Sequence, residues 1–147
     1  MFDADLVLAI AHHLAVFTLI GIFAAEFALL HPGIEGRRLL QLGRLDAAYG
    51  AVAGLVVVVG IIRVIFGGAG WEYYVGNWAF WAKMVAFLLV GLASIPPTLA
   101  IARWRKAGTA PSDAAVTAAR RFLYAEAALL LFIPTFAAAM ARGYGAS

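Results

Sequence analysis

The chain has 147 residues, of which 65% are hydrophobic and 13% charged, whereas a soluble domain is about half apolar and about a quarter charged. That balance excludes an ordinary water-soluble enzyme, and four membrane helices of ~20 to 25 residues each leave no length for a separate soluble domain. The lack of cysteine excludes disulfides, thiolate metal centres, iron–sulfur clusters and a covalently attached c-type haem.

The N-terminus carries Asp3 and Asp5 but no basic residue, so it lacks the positive region of a cleavable signal peptide, and the first apolar run is expected to be retained. That run predicts a helix over about 6–30, apolar apart from His12, His13, Thr18 and Glu26, and ended by His31, Pro32 and Gly33. A short loop with Arg37 and Arg38 leads to a second helix over about 40–66, whose charges are Arg44, Asp46 and Arg63. The segment from Gly70 to Asn77 is rich in glycine and aromatics. A third helix follows over about 78–102, with Lys83 as its only charge and a bend expected at Pro96 and Pro97. After Arg103, Arg105 and Lys106, residues Thr109 to Asp113 read as a turn and N-cap for a fourth helix over about 115–141, which holds Glu126 and Pro134.

The reading is thus an all-α, integral membrane four-helix bundle forming one transmembrane domain over 1–147. Lys and Arg in short loops stay cytoplasmic, and the basic residues gather in the first and third connections. The net charge of +3 therefore argues for topology and not for nucleic acid. Both termini are expected on the periplasmic or exterior side of a bacterial inner membrane, where Trp71, Tyr73, Tyr74, Trp78 and Trp81 form an interfacial belt. Trp104 marks the inner side.

An ionisable side chain at mid-bilayer costs ~2.5 to 3.5 kcal/mol on insertion scales, so each one needs a partner, a water-filled cavity or a function. At a rise of ~1.5 Å per residue the charges sort into two layers. Glu26, Asp46 and Glu126 fall in the inner half, where Arg44, Arg120 and Arg121 are expected to neutralise them. His12, His13, Arg63 and Lys83 share the outer half with no carboxylate at their depth. Two readings fit this outer layer: an anionic guest, or Arg63 and Lys83 snorkelling to lipid phosphate, Glu72 or Asp5. His12 lies on one stripe with Val16, Leu19, Phe23 and Glu26, so it is the inward histidine. His13, ~100° away around the helix, points to a neighbour or a partner subunit, and one metal does not easily take both.

Four segments resemble a superfamily of small bacterial four-helix membrane proteins that includes copper-resistance D-like proteins and the HemJ-type protoporphyrinogen oxidase. Ala9 to Leu14 (AIAHHL) is similar to its first-helix histidine motif, and Phe80 to Met84 (FWAKM) to its third-helix lysine motif. Arg103 to Gly108 (RWRKAG) and Arg121 to Glu126 (RFLYAE) are similar to its basic loop and fourth-helix acid. The resemblance spans nearly the whole chain, and it departs from the pattern in the doubled histidine, in Ala125 where asparagine is expected, and in a proline only at Pro134. It implies a haem b- or porphyrin-binding membrane redox protein, an oxidoreductase by class, exchanging electrons with a quinone. His12 or His13 would bind the cofactor, with His12 as the ligand of haem iron. The resemblance makes Lys83 a required residue; the placement of the charges adds Arg63 and Lys83 as carboxylate clamps and Glu26 or Glu126 in proton exchange, so Lys83, Glu26 and Glu126 are the expected catalytic groups. Such a haem is non-covalent, and His31 lies at the opposite surface, which leaves no bis-imidazole site.

Two other classes of function fit the composition. A copper or small-solute transport component would use His12, His13, Met84 and Met140 as ligands. A noncatalytic subunit of a membrane complex, or a homo-oligomer, would use Gly50 and Gly54 as a close-packing face.

Overall fold

A computed structural model describes residues 3–145. Four long helices, α1 (Ala4–Leu29), α2 (Gly36–Phe66), α4 (Trp78–Ala107) and α5 (Asp113–Ala141), are joined by short connections, and a one-turn helix, α3 (Trp71–Val75), lies between α2 and α4. All four long helices are apolar and long enough to cross a membrane. A helix is what such sequences must form in lipid, because no water is there to satisfy backbone amides and carbonyls.

The short connections make α1 and α2 one antiparallel hairpin and α4 and α5 another, and the hairpins meet chiefly through α2 and α4. Leu19, Phe23, Leu42, Val90, Ile101 and Leu123 fill the centre of the bundle. The outward faces carry large apolar side chains such as Phe17, Leu55, Leu88 and Leu131. Apolar surface of this extent belongs against acyl chains. The two ends of the bundle differ. One holds α3 and the starts of α1 and α4; the other holds the two hairpin connections and is rich in arginine.

Each helix end has its own chemistry. The Asp3 side chain accepts from the Asp5 and Leu6 amides at 3.1 and 3.3 Å. Asn77 accepts from the Ala79 amide at 2.9 Å and Ser112 from the Ala115 amide at 3.2 Å. These side chains satisfy first-turn donors that a helix cannot satisfy itself. Gly108, at φ +68°, ends α4 in the left-handed conformation that glycine tolerates.

Helices α2 and α4 outrun their apolar stretches. Arg37 and Arg38 stand in the first turn of α2, and Arg103, Arg105 and Lys106 in the last turns of α4, where loops are expected from hydropathy. Hydropathy marks the edge of the hydrocarbon, whereas backbone hydrogen bonding continues until a cap stops it. Pro96 and Pro97 lie within α4, and Pro134 within α5, without ending either helix.

Candidate functional site

Two polar layers lie inside the apolar bundle. In the arginine-rich half, Glu26 of α1 and Glu126 of α5 are 2% and 1% exposed. Asp46 of α2 is the electrostatic neighbour of both. The Tyr49 hydroxyl, also buried, donates to Glu126 Oε1 at 3.1 Å, and the Thr98 hydroxyl of α4 donates to Asp46 Oδ1 at 2.9 Å. Glu126 Oε2 is buried without a partner. All four long helices thus contribute to one polar centre.

A cavity of about 330 Å³ opens beside this centre between α2 and α4. Asp46, Tyr49, Ser94, Thr98 and Arg105 supply its polar lining, among small and apolar neighbours. It brings space for water to the edge of the carboxyl cluster, and a buried carboxyl needs either water or a polar partner.

The expectation that arginines neutralise these acids is corrected by the geometry. The Arg120 guanidinium donates instead to the carbonyl oxygens of Phe27, at 3.1 Å, and Leu30. It also stacks over the Phe27 ring at 4.6 Å and the Tyr124 ring at 5.7 Å. The last carbonyls of α1 have no partner within their own helix, so they compete for the cation. Arg44 and Arg121 are exposed. Among the described residues, no arginine or lysine hydrogen-bonds to Glu26, Asp46 or Glu126.

In the half nearer α3, His12 of α1, Arg63 of α2 and Lys83 of α4 come together, near enough for their charges to interact. His12 is half-buried against Gly60, where a Cβ would stand 3.5 Å from its ring. An alanine at position 60 would make ordinary van der Waals contact with the imidazole. His12 Nδ1 and Arg63 Nε are both buried without a hydrogen-bond partner. Lys83 Nζ lies 5.5 Å from the centre of the Phe80 ring, a weak cation–π contact. Asp5, at the surface above, is occupied by the Gly68 amide at 3.2 Å.

A family described as predicted membrane protein (DUF2214) matches residues 4–145. The chain belongs to this family. No curated protein and no solved structure matches it significantly.

Of the residues singled out from sequence, the DUF2214 fold therefore gathers His12, Arg63 and Lys83 in one place and Glu26 and Glu126 in another. His13 stands apart: it is exposed, its Nδ1 is 2.7 Å from the Ala9 carbonyl oxygen of its own helix, and its ring is edge-on to His12 at 6.2 Å. Among the described residues, no three His, Asp or Glu side chains are arranged to hold a metal ion. Met84 is exposed, and the Met140 backbone carbonyl receives the Tyr73 hydroxyl at 3.2 Å. Gly50 and Gly54 bring no other backbone close, since a Cβ at either would meet nothing within 4 Å. The sequence pattern does not single out Tyr49 and Thr98 as partners of the acids. The signal available for Tyr49 is its position three residues after Asp46, which puts both on one face of α2.

Proposed function

We propose that this DUF2214 protein is a haem b- or porphyrin-binding membrane redox protein, akin to the HemJ-type oxidase that its AIAHHL and FWAKM segments resemble. The observation that carries this reading is the convergence of His12, Arg63 and Lys83 from three helices, with two of their nitrogens buried and unpartnered. Isolating positive charge in an apolar bundle costs free energy, and a guest with carboxylates offsets that cost. The residues fit such a guest: Arg63 and Lys83 suit propionate-type carboxylates, and His12 is the imidazole offered to iron. When bound, haem would supply one-electron exchange at a potential tuned by its ligand and its surroundings.

The chain's own residues have the remaining roles in this reading. Gly60 packs against the His12 ring, and Arg63 and Lys83 fix the orientation of the guest. Glu26 and Glu126, linked to the cavity through Asp46 and Tyr49, exchange protons with water on the arginine-rich side. That side faces the cytoplasm of a bacterial inner membrane, both termini face outward, and a quinone in the bilayer is the electron partner.

The test is a reduced-minus-oxidised absorption spectrum of the full chain, expressed with haem supply and purified from membranes. A b-type spectrum is expected in the wild type and in His13→Ala, and its loss in His12→Ala. Arg63→Ala and Lys83→Ala should weaken retention of added protoporphyrin roughly tenfold or more, since a hydrogen bond to a charged group contributes ~1.5 to 3 kcal/mol. Wild-type protein that shows no such spectrum and does not bind protoporphyrin would overturn the proposal.

A further inference from the structure

The arginine-rich end carries a second hollow, of about 570 Å³, on the outside of the bundle between α1 and α2. It is separate from both polar layers described above. Ala25, Ala28 and Leu29 give it an apolar wall on α1, and His31, Arg38 and Arg44 give it a polar one that is cationic at the two arginines. The groove is open, with the small α1 side chains exposed where the helix faces lipid, and the arginines stand where the apolar stretch of α2 begins.

The local structure does not account for this charge. Arg38 stands in the first turn of α2, a turn with no acidic residue and with no side-chain cap from Glu35. The positive end of a helix dipole is an unfavourable place for a cation, and its free amides attract anions. Among the described residues, Arg120 is the one arginine whose guanidinium makes a hydrogen bond, so Arg38 and Arg44 keep their donors available. His31 Nδ1 is 2.9 Å from the Pro32 carbonyl oxygen, which holds the ring at the rim of the hollow.

We propose that this groove binds an anionic phospholipid. Arg38 and Arg44 take the headgroup phosphate, and the Ala25–Ala28 wall takes the upper part of an acyl chain. Charge complementarity selects an anion, and the apolar wall at the hydrocarbon edge selects one attached to a lipid. The lipid also supplies the negative charge that the first turn of α2 lacks.

Native mass spectrometry of the detergent-purified full chain, titrated with phosphatidylglycerol, phosphatidylcholine or inorganic phosphate, tests the assignment. Phosphatidylglycerol should be retained at least about tenfold more tightly than phosphatidylcholine. The double variant Arg38→Ala/Arg44→Ala should lose most of that preference. Arg37→Ala/Arg103→Ala removes the same charge outside the groove and should keep it. Ala28→Trp, which fills the apolar wall without changing charge, should also weaken lipid retention. Equal loss in the two arginine pairs would reduce the effect to diffuse surface charge and overturn the site. Displacement of the lipid by inorganic phosphate, or indifference to Ala28→Trp, would show a free-anion site and overturn the lipid assignment.

Discussion

Tyr49 and Glu126 form a polar pair that the apolar bundle encloses almost completely, so each is costly without the other. Tyr49→Phe keeps the ring and its packing but leaves Glu126 with both oxygens unpartnered. An unsatisfied buried group costs ~1 to 3 kcal/mol, and that loss is expected in unfolding measurements on detergent-solubilised protein. The double variant Tyr49→Phe/Glu126→Leu, which removes both polar groups, should recover most of the loss, because replacing a buried polar pair by apolar groups of similar size is close to neutral. A Tyr49→Phe variant as stable as wild type would mean that the hydrogen bond does not contribute. Glu26 and Glu126 stood out in the sequence because a charge inside an apolar run is rare. Tyr49 did not, since a tyrosine in such a run is an ordinary packing residue until its hydroxyl is shown a partner.

Arg120 acts between elements, fastening α5 to the carbonyl end of α1 while its guanidinium covers Phe27 and Tyr124. Two hydrogen bonds from a charged donor and two ring contacts together contribute about 2 to 4 kcal/mol. Arg120→Ala should lose stability by that amount in the same unfolding measurement, and Arg120→Lys should lose part of it, because an ammonium lacks the planar fork. Its neighbour Arg121 is exposed, and Arg121→Ala should change stability by less than about 0.5 kcal/mol. The C-terminus of α2 depends on a small residue in a comparable way. A Cβ on Gly67 would strike the Arg63 carbonyl oxygen, which receives the Gly67 amide at 2.8 Å. Gly67→Ala should therefore cost ~1 to 3 kcal/mol and displace Arg63 from the cationic layer. The existence and order of the spanning helices were legible, because long apolar runs ending at glycine and proline have few other solutions in lipid. The ends of α2 and α4 were less so, since their caps lie beyond the apolar stretch that made the helices visible. The one-turn α3 helix was hidden by its length, too short for any periodicity to show.

Across the whole molecule, the rise per residue fixed the depth of each charge, and depth alone placed His12, Arg63 and Lys83 in one layer and Glu26, Asp46 and Glu126 in another. Rotation about each helix axis was not available from the sequence, because it depends on which faces the hairpins bury. Arg120 shows the consequence: it lies near Glu126 along the chain, yet packing turns its guanidinium toward α1. The asymmetry between the bundle's ends has a consequence of its own. Arg37, Arg38, Arg103, Arg105, Lys106 and Arg121 cluster at the hairpin connections, whereas Arg142 stands at the opposite end with Asp3, Asp5 and Glu72. Moving the basic cluster across a bilayer is strongly disfavoured, so the arginine-rich end should remain cytoplasmic. The chain has no cysteine, which makes thiol labelling free of background. Glu72→Cys, in the exposed turn of α3, should react with a membrane-impermeant maleimide on intact cells. Thr109→Cys, in the exposed connection between α4 and α5, should react only after the membrane is opened. The reverse pattern would invert the orientation, placing the His12 layer near the cytoplasm and the carboxyl layer near the exterior, so the proton exchange proposed for Glu26 and Glu126 would draw on the opposite compartment.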